Sequence, residues 1–336
     1  MISSSQKDTP NRIISPEEKS IDITASENVL RPKFLSDYIG QKAIKKHLSV
    51  SIESARIRKT SLEHIIFYGP PGLGKTTLAN IIAHEMGVSI RSTSGPAIEK
   101  QSDLISLLSN LEEWDILFID EIHRLRPQVE EILYTAMEDF CVDIMVWSGT
   151  WAQSVKLPIK NFCLIGATTK LSSLSSPLRD RFGNVLKLDF YDESDIGKIL
   201  GKNAEILGLV LNTTTLWKVA SRSRGTPRIA NRLLKIIRDY STIWKDIDTS
   251  LDSIFVDIGI DSLWLDYLDR KYLETLQKNF NGWPTGLNTI ASAIGEEEGT
   301  LEDVVEPYLL QIGFIERTPR GRKLSHAANE YLAKNV

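Results

Sequence analysis

Residues 69–76, Gly-Pro-Pro-Gly-Leu-Gly-Lys-Thr, match the phosphate-binding loop pattern G-x-x-x-x-G-K-[ST]. A short apolar run precedes the loop, and residues 77–86 follow it without a helix breaker before Gly87. This order of strand, glycine loop and helix allows backbone N–H groups to surround phosphates at a helix N-terminus. The sequence therefore predicts a nucleotide site in an α/β fold, with Lys75 on the phosphates and Thr76 on Mg²⁺.

A second apolar segment, residues 116–119, ends in the acidic pair Asp120 and Glu121. A continuous apolar run is typical of a central strand in a parallel sheet, and the carboxyl ends of such strands bind ligands. One carboxylate is enough for Mg²⁺, and we assign that role to Asp120. Glu121 is then expected to act as the general base that polarises the attacking water. We expect His123 to form a hydrogen bond or to pack.

Two later segments carry residues that could act on a γ-phosphate. An apolar run that begins at residue 162 ends in Thr169, which could position the attacking water or sense the phosphate. Arg179 and Arg181 follow. An arginine supplied by a neighbouring subunit stabilises the transition state of phosphoryl transfer. For Arg179, which is next to Asp180, a surface salt bridge is the favoured interpretation.

Two alternating segments predict a β-hairpin at residues 142–159, inserted before the strand that ends in Thr169. Trp147 and Trp151 flank the residues with turn chemistry between these segments. The two side chains could pack onto the body of the domain, or they could bind a partner, because exposed aromatic residues often anchor interfaces.

Composition restricts the class of protein. A chain of 336 residues predicts two or three domains, and the net charge of −4 argues against nucleic-acid binding over the whole surface. No apolar run approaches the roughly 18 residues that a membrane helix requires. Cys141 and Cys163 lie among apolar residues and are expected to be core residues, as in a cytoplasmic protein. Residues 1–29 are polar and read as a mobile tail rather than a signal peptide.

The C-terminal half predicts two helical domains. Residues 191–260 have a mostly helical pattern, and from residue 261 three amphipathic segments and a turn between two short strands predict a winged helix. The predicted organisation is a tail at 1–29, a large ATPase domain at 30–190 with the hairpin at 142–159, a small helical lid at 191–260 and a winged helix at 261–336.

Local charge decides how the winged helix could contact DNA. The third predicted helix and its approach carry acids that would repel phosphates: Glu296, Glu297, Glu298, Glu302, Asp303 and Glu306. The wing carries the basic residues Arg317, Arg320, Arg322 and Lys323. We infer that the wing, and not the third helix, contacts the DNA backbone without sequence preference; the alternative is a solvated basic hairpin.

The chain resembles the RuvB family of AAA+ ATPases, motors that drive branch migration of Holliday junctions. The resemblance extends from about Leu30 to about Leu332, and the last two of its motifs are the most specific. The motifs are residues 30–33, Tyr38-Ile39-Gly40-Gln41, the phosphate loop with Thr77, 118–125, 166–169, 176–183, 224–228 and 317–322.

The resemblance implies further roles for residues in this sequence. Thr169 matches the family's sensor 1 threonine, Arg181 the arginine finger, and Arg228 the sensor 2 arginine of the small helical domain. The implied fold is a P-loop NTPase core, in which helices flank a parallel sheet, followed by the helical lid and the winged helix. The residues implied around ATP are Leu30, Arg31, Gly72, Gly74, Lys75, Thr76, Thr77, Glu138, Asp139, Phe140, Arg181, Tyr191 and Arg228.

The resemblance also implies partners. It implies a homohexameric ring on duplex DNA at a Holliday junction, with RuvA contacted by the hairpin and RuvC in a larger complex, in recombination and the SOS response to DNA damage. Contact of Trp147 and Trp151 with RuvA is a hypothesis, because the hairpin tip matches no family motif. The alternative function is an AAA+ loader or origin-binding ATPase that binds DNA without translocating it. The wing motif and the hairpin favour the motor.

Overall fold

The computed structural model describes residues 29–148, 151–244 and 246–335. These residues form two compact units, which divide between Tyr191 and Asp192. The first unit combines a parallel sheet with helices, and the second is helical with one short hairpin. Within the described part of the chain, no helix is both long and apolar enough to cross a bilayer.

The strands of the first unit belong to one sheet and one hairpin. The bounds are β1 Ile65–Tyr68, β2 Ile90–Ser94, β3 Ile116–Asp120, β4 Cys141–Ser148, β5 Trp151–Pro158, β6 Cys163–Thr168 and β7 Asn184–Lys187. Five strands form a parallel sheet in the order β2-β3-β6-β1-β7, whereas β4 and β5 pair with each other in antiparallel orientation. The central strands β3, β6 and β1 are apolar and buried almost throughout, as expected where helices cover both faces.

The helices of the first unit pack apolar stripes onto this sheet. The bounds are α1 Lys42–Arg58, α2 Lys75–Met86, α3 Gln101–Ser109, α4 Pro127–Glu138 and α5 Ser176–Arg179. In α4, Val129, Leu133 and Ala136 are buried in one cluster with Leu117 and Ile119 of β3, which follows from their helical spacing. The predicted end of α2 at Gly87 is confirmed, since this residue is its C-cap with φ 69°.

Both cysteines are unpaired and buried, as predicted. Cys163 is the first residue of β6, and its thiol donates to the carbonyl oxygen of Glu63 at 3.4 Å. Burial raises the pKa of the Cys163 thiol, so this group stays protonated and inert. The two residues therefore act as small core side chains.

The second unit contains four helices followed by a winged helix. Its strands β8 and β9 form the wing, and Thr285 adds an isolated bridge to Arg322 at its edge. The bounds are α6 Glu193–Ile206, α7 Thr213–Arg222, α8 Pro227–Ser241, α9 Ile247–Asp257, α10 Tyr267–Phe280, α11 Leu287–Ile294, α12 Glu298–Thr300, α13 Glu306–Gln311, β8 Ile315–Thr318, β9 Gly321–Leu324 and α14 His326–Asn335.

The third helix of the winged helix is interrupted. Between α12 and α13, residues Leu301–Val305 form a π-helical turn. Pro307 follows in the first turn of α13, and a proline cannot donate the N–H that a regular helix would use there. The irregularity of this helix therefore begins in the turn that precedes the proline.

A buried ion pair joins the four-helix part of the second unit to its winged helix. Arg224, which follows α7, donates to the carbonyl oxygen of Trp264 at 2.6 Å and pairs with the fully buried carboxylate of Asp269 in α10. Its guanidinium also lies 4.1 Å from the centroid of the Tyr308 ring. Because separating such a pair leaves an uncompensated buried charge, the two parts are firmly connected.

Candidate ATP site and winged-helix surface

The phosphate loop has a backbone that requires glycine at fixed positions. Gly69, Gly72 and Gly74 have φ angles of 139°, 80° and 99°. A Cβ on Gly69 would lie 2.4 Å from the carbonyl oxygen of Leu188, and the Gly69 N–H donates to the carbonyl oxygen of Thr168 at 3.2 Å. The loop is thus held between the ends of β6 and β7 and leads directly into α2.

Lys75 holds its charge inside this loop. The side chain is largely buried, and Nζ donates to the carbonyl oxygens of Gly69 at 2.7 Å and Pro70 at 2.9 Å. The ammonium group, the loop N–H groups and the N-terminus of α2 place positive potential in one small region. This arrangement suits the phosphates of a nucleotide.

Asp120 and Glu121 lie at the same edge of the sheet, at the end of β3. The Glu121 N–H donates to Asp120 Oδ1 at 2.9 Å, and Glu121 has a left-handed backbone with φ 50°. This backbone turn needs Gly95 beside it, because a Cβ on Gly95 would lie 2.4 Å from the carbonyl oxygen of Glu121. The two carboxylates are therefore placed by specific backbone geometry.

The oxygen donors at this edge fit Mg²⁺. Mg²⁺ binds few protein oxygens and completes its shell with water and substrate phosphates. Thr76 and Asp120 supply one hydroxyl and one carboxylate of this kind. Among the described residues, no group of three or more His, Cys, Asp or Glu side chains could hold a metal by itself. The donor set thus suits a metal shared with a nucleotide.

His123 connects the proposed base to the end of β6. Its Nε2 lies 3.5 Å from Glu121 Oε2, and its Nδ1 lies 2.9 Å from Thr168 Oγ1. The backbone N–H of Lys170 donates to the same Thr168 hydroxyl at 3.0 Å. The hydrogen-bonding role expected for His123 is confirmed. Thr169 lies between Thr168 and Lys170 in the chain. These contacts therefore link Glu121, the proposed base, to Thr169, the proposed sensor threonine.

A pair of tyrosines supports the phosphate loop. The hydroxyls of Tyr38 and Tyr191 are 2.7 Å apart, and they approach the carbonyl oxygen of Leu73 at 3.4 and 3.3 Å. Burial, with a smaller contribution from Tyr191, raises the pKa of Tyr38. A Cβ on Gly74 would lie 2.8 Å from the Tyr38 hydroxyl. The predicted ATP residues did not include Tyr38, although a motif signalled it two residues before Gly40.

Arg181 lies at the opposite edge of the sheet. It precedes β7, which pairs in parallel with β1 so that Asn184 is opposite Ile65. A Cβ on Gly183 would lie 2.6 Å from the side chain of Glu63, which precedes β1. Because the phosphate loop follows the carboxyl end of β1, Arg181 is at the end of the sheet that faces away from the loop of its own chain.

Residues at the end of α4 accompany Arg181. Arg181 donates to Glu138 Oε2 at 3.1 Å and to the carbonyl oxygen of Pro177 at 2.7 Å, and its guanidinium lies 4.6 Å from the Tyr134 ring centroid. Glu138 and Asp139 are exposed. Arg181 and its neighbours Glu138 and Asp139 therefore lie at the opposite edge of the sheet from the phosphate loop.

The remaining predicted residues take separate positions. Leu30 is buried, Arg31 and Thr77 are half-buried, and Phe140 follows Asp139 in a left-handed backbone with φ 49°. Arg228 is the second residue of α8 in the other unit. Arg179 lies 4.0 Å from Asp180 in an exposed ion pair, as favoured from the sequence.

The two strands of the hairpin pair up to its tip. Trp147 pairs with Ala152, and Ser148 with Trp151, through the backbones of β4 and β5. The side chains of both tryptophans, and residues 149–150 between them, lie outside the described part of the structure. Contact of the tryptophans with RuvA stays a prediction.

The wing arginines hold a buried carboxylate. Arg317 donates to Glu306 Oε2 through two nitrogens at 2.9 and 2.6 Å, and Arg322 donates to Glu306 Oε1 at 2.8 Å. The Tyr272 hydroxyl donates to the same Oε1 at 2.9 Å. Glu306 is 0% exposed. These four groups fix the wing to α13 and α10.

The expectation that Glu306 belongs to a phosphate-repelling surface of the third helix is wrong. Its side chain points under the hairpin, where two arginines neutralise it. Glu302 and Asp303 are half-buried, and Glu297 and Glu298 are exposed. Arg320 and Lys323 are exposed near the turn of the wing, and 45% of the Arg317 side chain is accessible.

Comparison with known proteins identifies the family. Three consecutive family models match the chain: the Holliday junction DNA helicase RuvB P-loop domain at 30–188, the RuvB AAA lid domain at 191–266 and the RuvB C-terminal winged helix domain at 262–333. The chain belongs to the RuvB family. It is 54% identical over 308 residues to the Holliday junction branch migration complex subunit RuvB of Dehalococcoides mccartyi, across 90% of this chain and 88% of that protein.

Solved RuvB structures have the same fold. The RuvB Holliday junction branch migration motor of Thermotoga maritima superposes with a TM-score of 0.83 at 45% identity, covering 90% of this chain and 98% of that one. A single-residue variant of the same RuvB gives a TM-score of 0.84 over 92% and 99% of the two chains. The P-loop ATPase core, the helical lid and the winged helix predicted from the sequence are confirmed, and this RuvB-family chain is an AAA+ ATPase.

Substitution of Gly40 tests the support of the phosphate loop. Gly40 has φ 81°, and a Cβ there would lie 2.4 Å from the Tyr191 ring. We expect Gly40→Ala to displace Tyr191 from Leu73 and to weaken ATP binding about tenfold, a change of about 1.4 kcal/mol. The dissociation constant, measured by titration calorimetry, checks this expectation.

Gly87→Ala is the matched control. Gly87 also has a positive φ, 69°, but a Cβ there would meet no atom within 4 Å. The control should lose helix-end stability and keep its ATP affinity. Equal ATP affinities in the two variants would contradict a role for the tyrosine pair.

Proposed function

We propose that this chain is an ATP-driven motor that translocates duplex DNA and so drives branch migration of Holliday junctions in recombination and DNA repair. The observation that carries the proposal is the division of the ATP machinery between opposite edges of one sheet. Lys75 and Glu121 lie at the carboxyl edge and Arg181 lies at the amino edge. Such a chain completes its catalytic site only when another copy supplies Arg181.

Repeated contacts of this kind generate a ring. A surface that carries the phosphate loop would meet a different surface, the one that carries Arg181 and Glu138, on the next subunit. Head-to-tail interfaces of this type close into rings when the rotation between subunits permits it. The resemblance to RuvB implies six subunits around the duplex, and the ring is part of this proposal.

The residues of the first unit then have distinct roles in hydrolysis. The loop N–H groups and Lys75 bind the β- and γ-phosphates, and Glu121 accepts a proton from the attacking water. Thr76 and Asp120 would hold Mg²⁺, which supplies charge neutralisation on the phosphate oxygens. Arg181 of the next subunit stabilises the charge that develops on the γ-phosphate. Thr169 positions the attacking water, and His123 orients the side chain of Glu121.

The second unit converts the nucleotide state into movement. By resemblance, Arg228 contacts the γ-phosphate of its own subunit, and its release would let the lid move. The Arg224–Asp269 pair connects the lid helices to the winged helix, so both would move together. The wing, with Arg320 and Lys323 exposed, would hold DNA phosphates without sequence preference, as translocation along any sequence requires.

The partners belong to the same proposal. The hairpin of β4 and β5 would bind RuvA, with Trp147 and Trp151 as candidate contacts, and RuvC would join a larger complex. The whole assembly would work in the cytoplasm. These assignments rest on the resemblance to the family and on the name of the Dehalococcoides relative, a subunit of a branch migration complex.

A four-way junction assay tests the motor against the alternative of an ATP-switched loader. We expect the chain, with RuvA and ATP, to dissociate a synthetic junction into two duplexes, as measured on native gels. Glu121→Gln should bind ATP and DNA but lose dissociation, because the base is removed. ATP-dependent binding by the intact protein without junction dissociation would favour the loader.

Removal of the buried carboxylate tests the wing. Glu306→Gln raises the local charge by one unit, so charge alone predicts tighter DNA binding. We expect the opposite, a loss of about tenfold in duplex affinity. The amide offers one acceptor oxygen instead of two, and its NH2 group cannot accept a hydrogen bond from an arginine, so Arg317 and Arg322 would orient the wing less well. Fluorescence anisotropy with a labelled duplex measures the affinity.

Glu302→Gln is the charge-matched control. Glu302 lies 3.8 Å from Arg322 with 39% of its side chain exposed, so its loss changes the charge and leaves the bonds to Glu306. DNA binding should be unchanged or slightly tighter. If Glu306→Gln unfolds at a lower temperature than the parent chain, Arg317→Lys provides a second test. Arg317→Lys keeps the positive charge but cannot make both hydrogen bonds to Glu306, so it should show the same loss of duplex affinity. Normal binding by either folded variant would refute the role of Glu306.

A further inference from the structure

Trp283 exposes a large apolar side chain at an unusual place. It lies in the loop between α10 and α11, and 72% of the residue is accessible. Exposed tryptophan carries an energetic cost in water and frequently marks a contact surface. Neither the ATP site nor the oriented wing arginines account for it.

The loop that carries Trp283 is rigid. The backbones of Thr285 and Arg322 exchange hydrogen bonds of 2.9 and 2.8 Å, so the loop is tied to the wing. The Trp283 N–H donates to the carbonyl oxygen of Phe280 at 2.9 Å. The contact with the wing is close, because a Cβ on Gly321 would lie 2.2 Å from the carbonyl oxygen of Thr285. Trp283 is therefore presented on a fixed backbone.

A groove with a volume of about 620 Å³ adjoins Trp283. Arg320 and Lys323 of the wing line the groove together with Trp283, and the amide side chains of Asn281 and Asn329 complete the polar part of its lining. No carboxylate lines the groove among the described residues. Its lining thus offers two cations, amide donors and one indole.

We propose that Trp283 and this groove form a second contact with the sugar–phosphate backbone of duplex DNA, adjacent to the wing. The inference rests on the proposed DNA-binding function of the wing and extends it. Arg320 and Lys323 would pair with phosphates, the indole N–H would donate to a phosphate oxygen, and the ring would pack against a deoxyribose. The contact would read no base, because none of these groups needs a base edge.

The chemistry of the groove favours a nucleic-acid backbone over a protein surface. The indole N–H is only a donor, as are the two cations, so the groove is rich in donors and suits an acceptor-rich ligand. A phosphodiester backbone alternates anionic phosphate oxygens with apolar sugar faces. That alternation matches a lining that combines two cations with an aromatic ring.

Salt dependence separates the aromatic contact from the ionic one. In the full chain, Trp283→Ala should weaken duplex binding about tenfold at every salt concentration. The slope of log affinity against log salt should stay unchanged, because binding of the uncharged indole releases no counterion from the DNA. Arg320→Ala should also weaken binding and should reduce that slope by about one. Anisotropy titrations of a labelled duplex at several salt concentrations supply both quantities.

A second tryptophan provides the control. Trp217 of α7 is 47% exposed, and Trp217→Ala should leave both affinity and slope as in the parent chain. DNA should also quench the tryptophan fluorescence of the parent chain more strongly than that of Trp283→Phe. Trp283 and Trp217 are both exposed, so the thermal midpoints of their variants should remain near that of the parent chain.

The outcomes distinguish the two levels of the proposal. If Arg320→Ala binds DNA with parental affinity and slope, the wing itself does not contact phosphates and the proposed function of the wing fails. If Arg320→Ala is impaired while Trp283→Ala is not, the wing contact stands and the Trp283 contact is refuted. Intact DNA binding by Trp283→Ala with weakened RuvA binding would refute it as well, by assigning the groove to a protein.

Discussion

A parallel sheet has two chemically different edges, and the proposed ATP chemistry of this chain uses both of them. The carboxyl ends of β1, β3 and β6 bring together the phosphate loop, the acidic pair and Thr169, while the amino end of β7 places Arg181 beside Glu138. Nothing short of unfolding the sheet would bring Arg181 to the loop of the same chain. With Arg181 as the proposed finger, this sheet topology would require assembly, and hydrolysis would depend on a neighbouring subunit.

Two buried carboxylates, each neutralised by arginine, impose a similar constraint on the second unit. Asp269 and Glu306 are both fully buried, and each is neutralised by arginine: Arg224 at the joint, and Arg317 with Arg322 in the wing. Buried pairs contribute little net stability compared with apolar packing, but they strongly penalise any arrangement that separates them. A motor needs such stiffness where movement must be transmitted without loss.

Much of the ATP site could be predicted from the sequence because its signals are local. The spacing from Gly69 to Thr76 specifies a loop and a helix start, and the apolar run before Asp120 specifies a buried strand with acids at its end. The winged helix followed from three amphipathic segments and a turn. The family resemblance supplied the roles of Arg181 and Arg228, which spacing alone left open.

The rest depended on contacts between distant segments. Glu306 belongs to an acidic stretch, and only the folded hairpin shows that two arginines cover it. Tyr38 and Tyr191 meet through hydroxyls separated by 153 positions in the chain. The exposure of Trp283 is equally invisible in the sequence, where a tryptophan normally predicts core. Tertiary packing determines all three features, and no local sequence pattern specifies it.

Complementation between two inactive variants tests most directly whether the site is shared. Lys75→Ala lacks the phosphate-binding ammonium and Arg181→Ala lacks the finger, so each alone should lose ATPase activity by about 10³-fold or more. In an equal mixture, roughly one quarter of head-to-tail interfaces combine an intact Lys75 with an intact Arg181. The account predicts that mixing restores ATPase activity, and that Lys75→Ala mixed with the double variant does not. A mixture as inactive as its two components would contradict it.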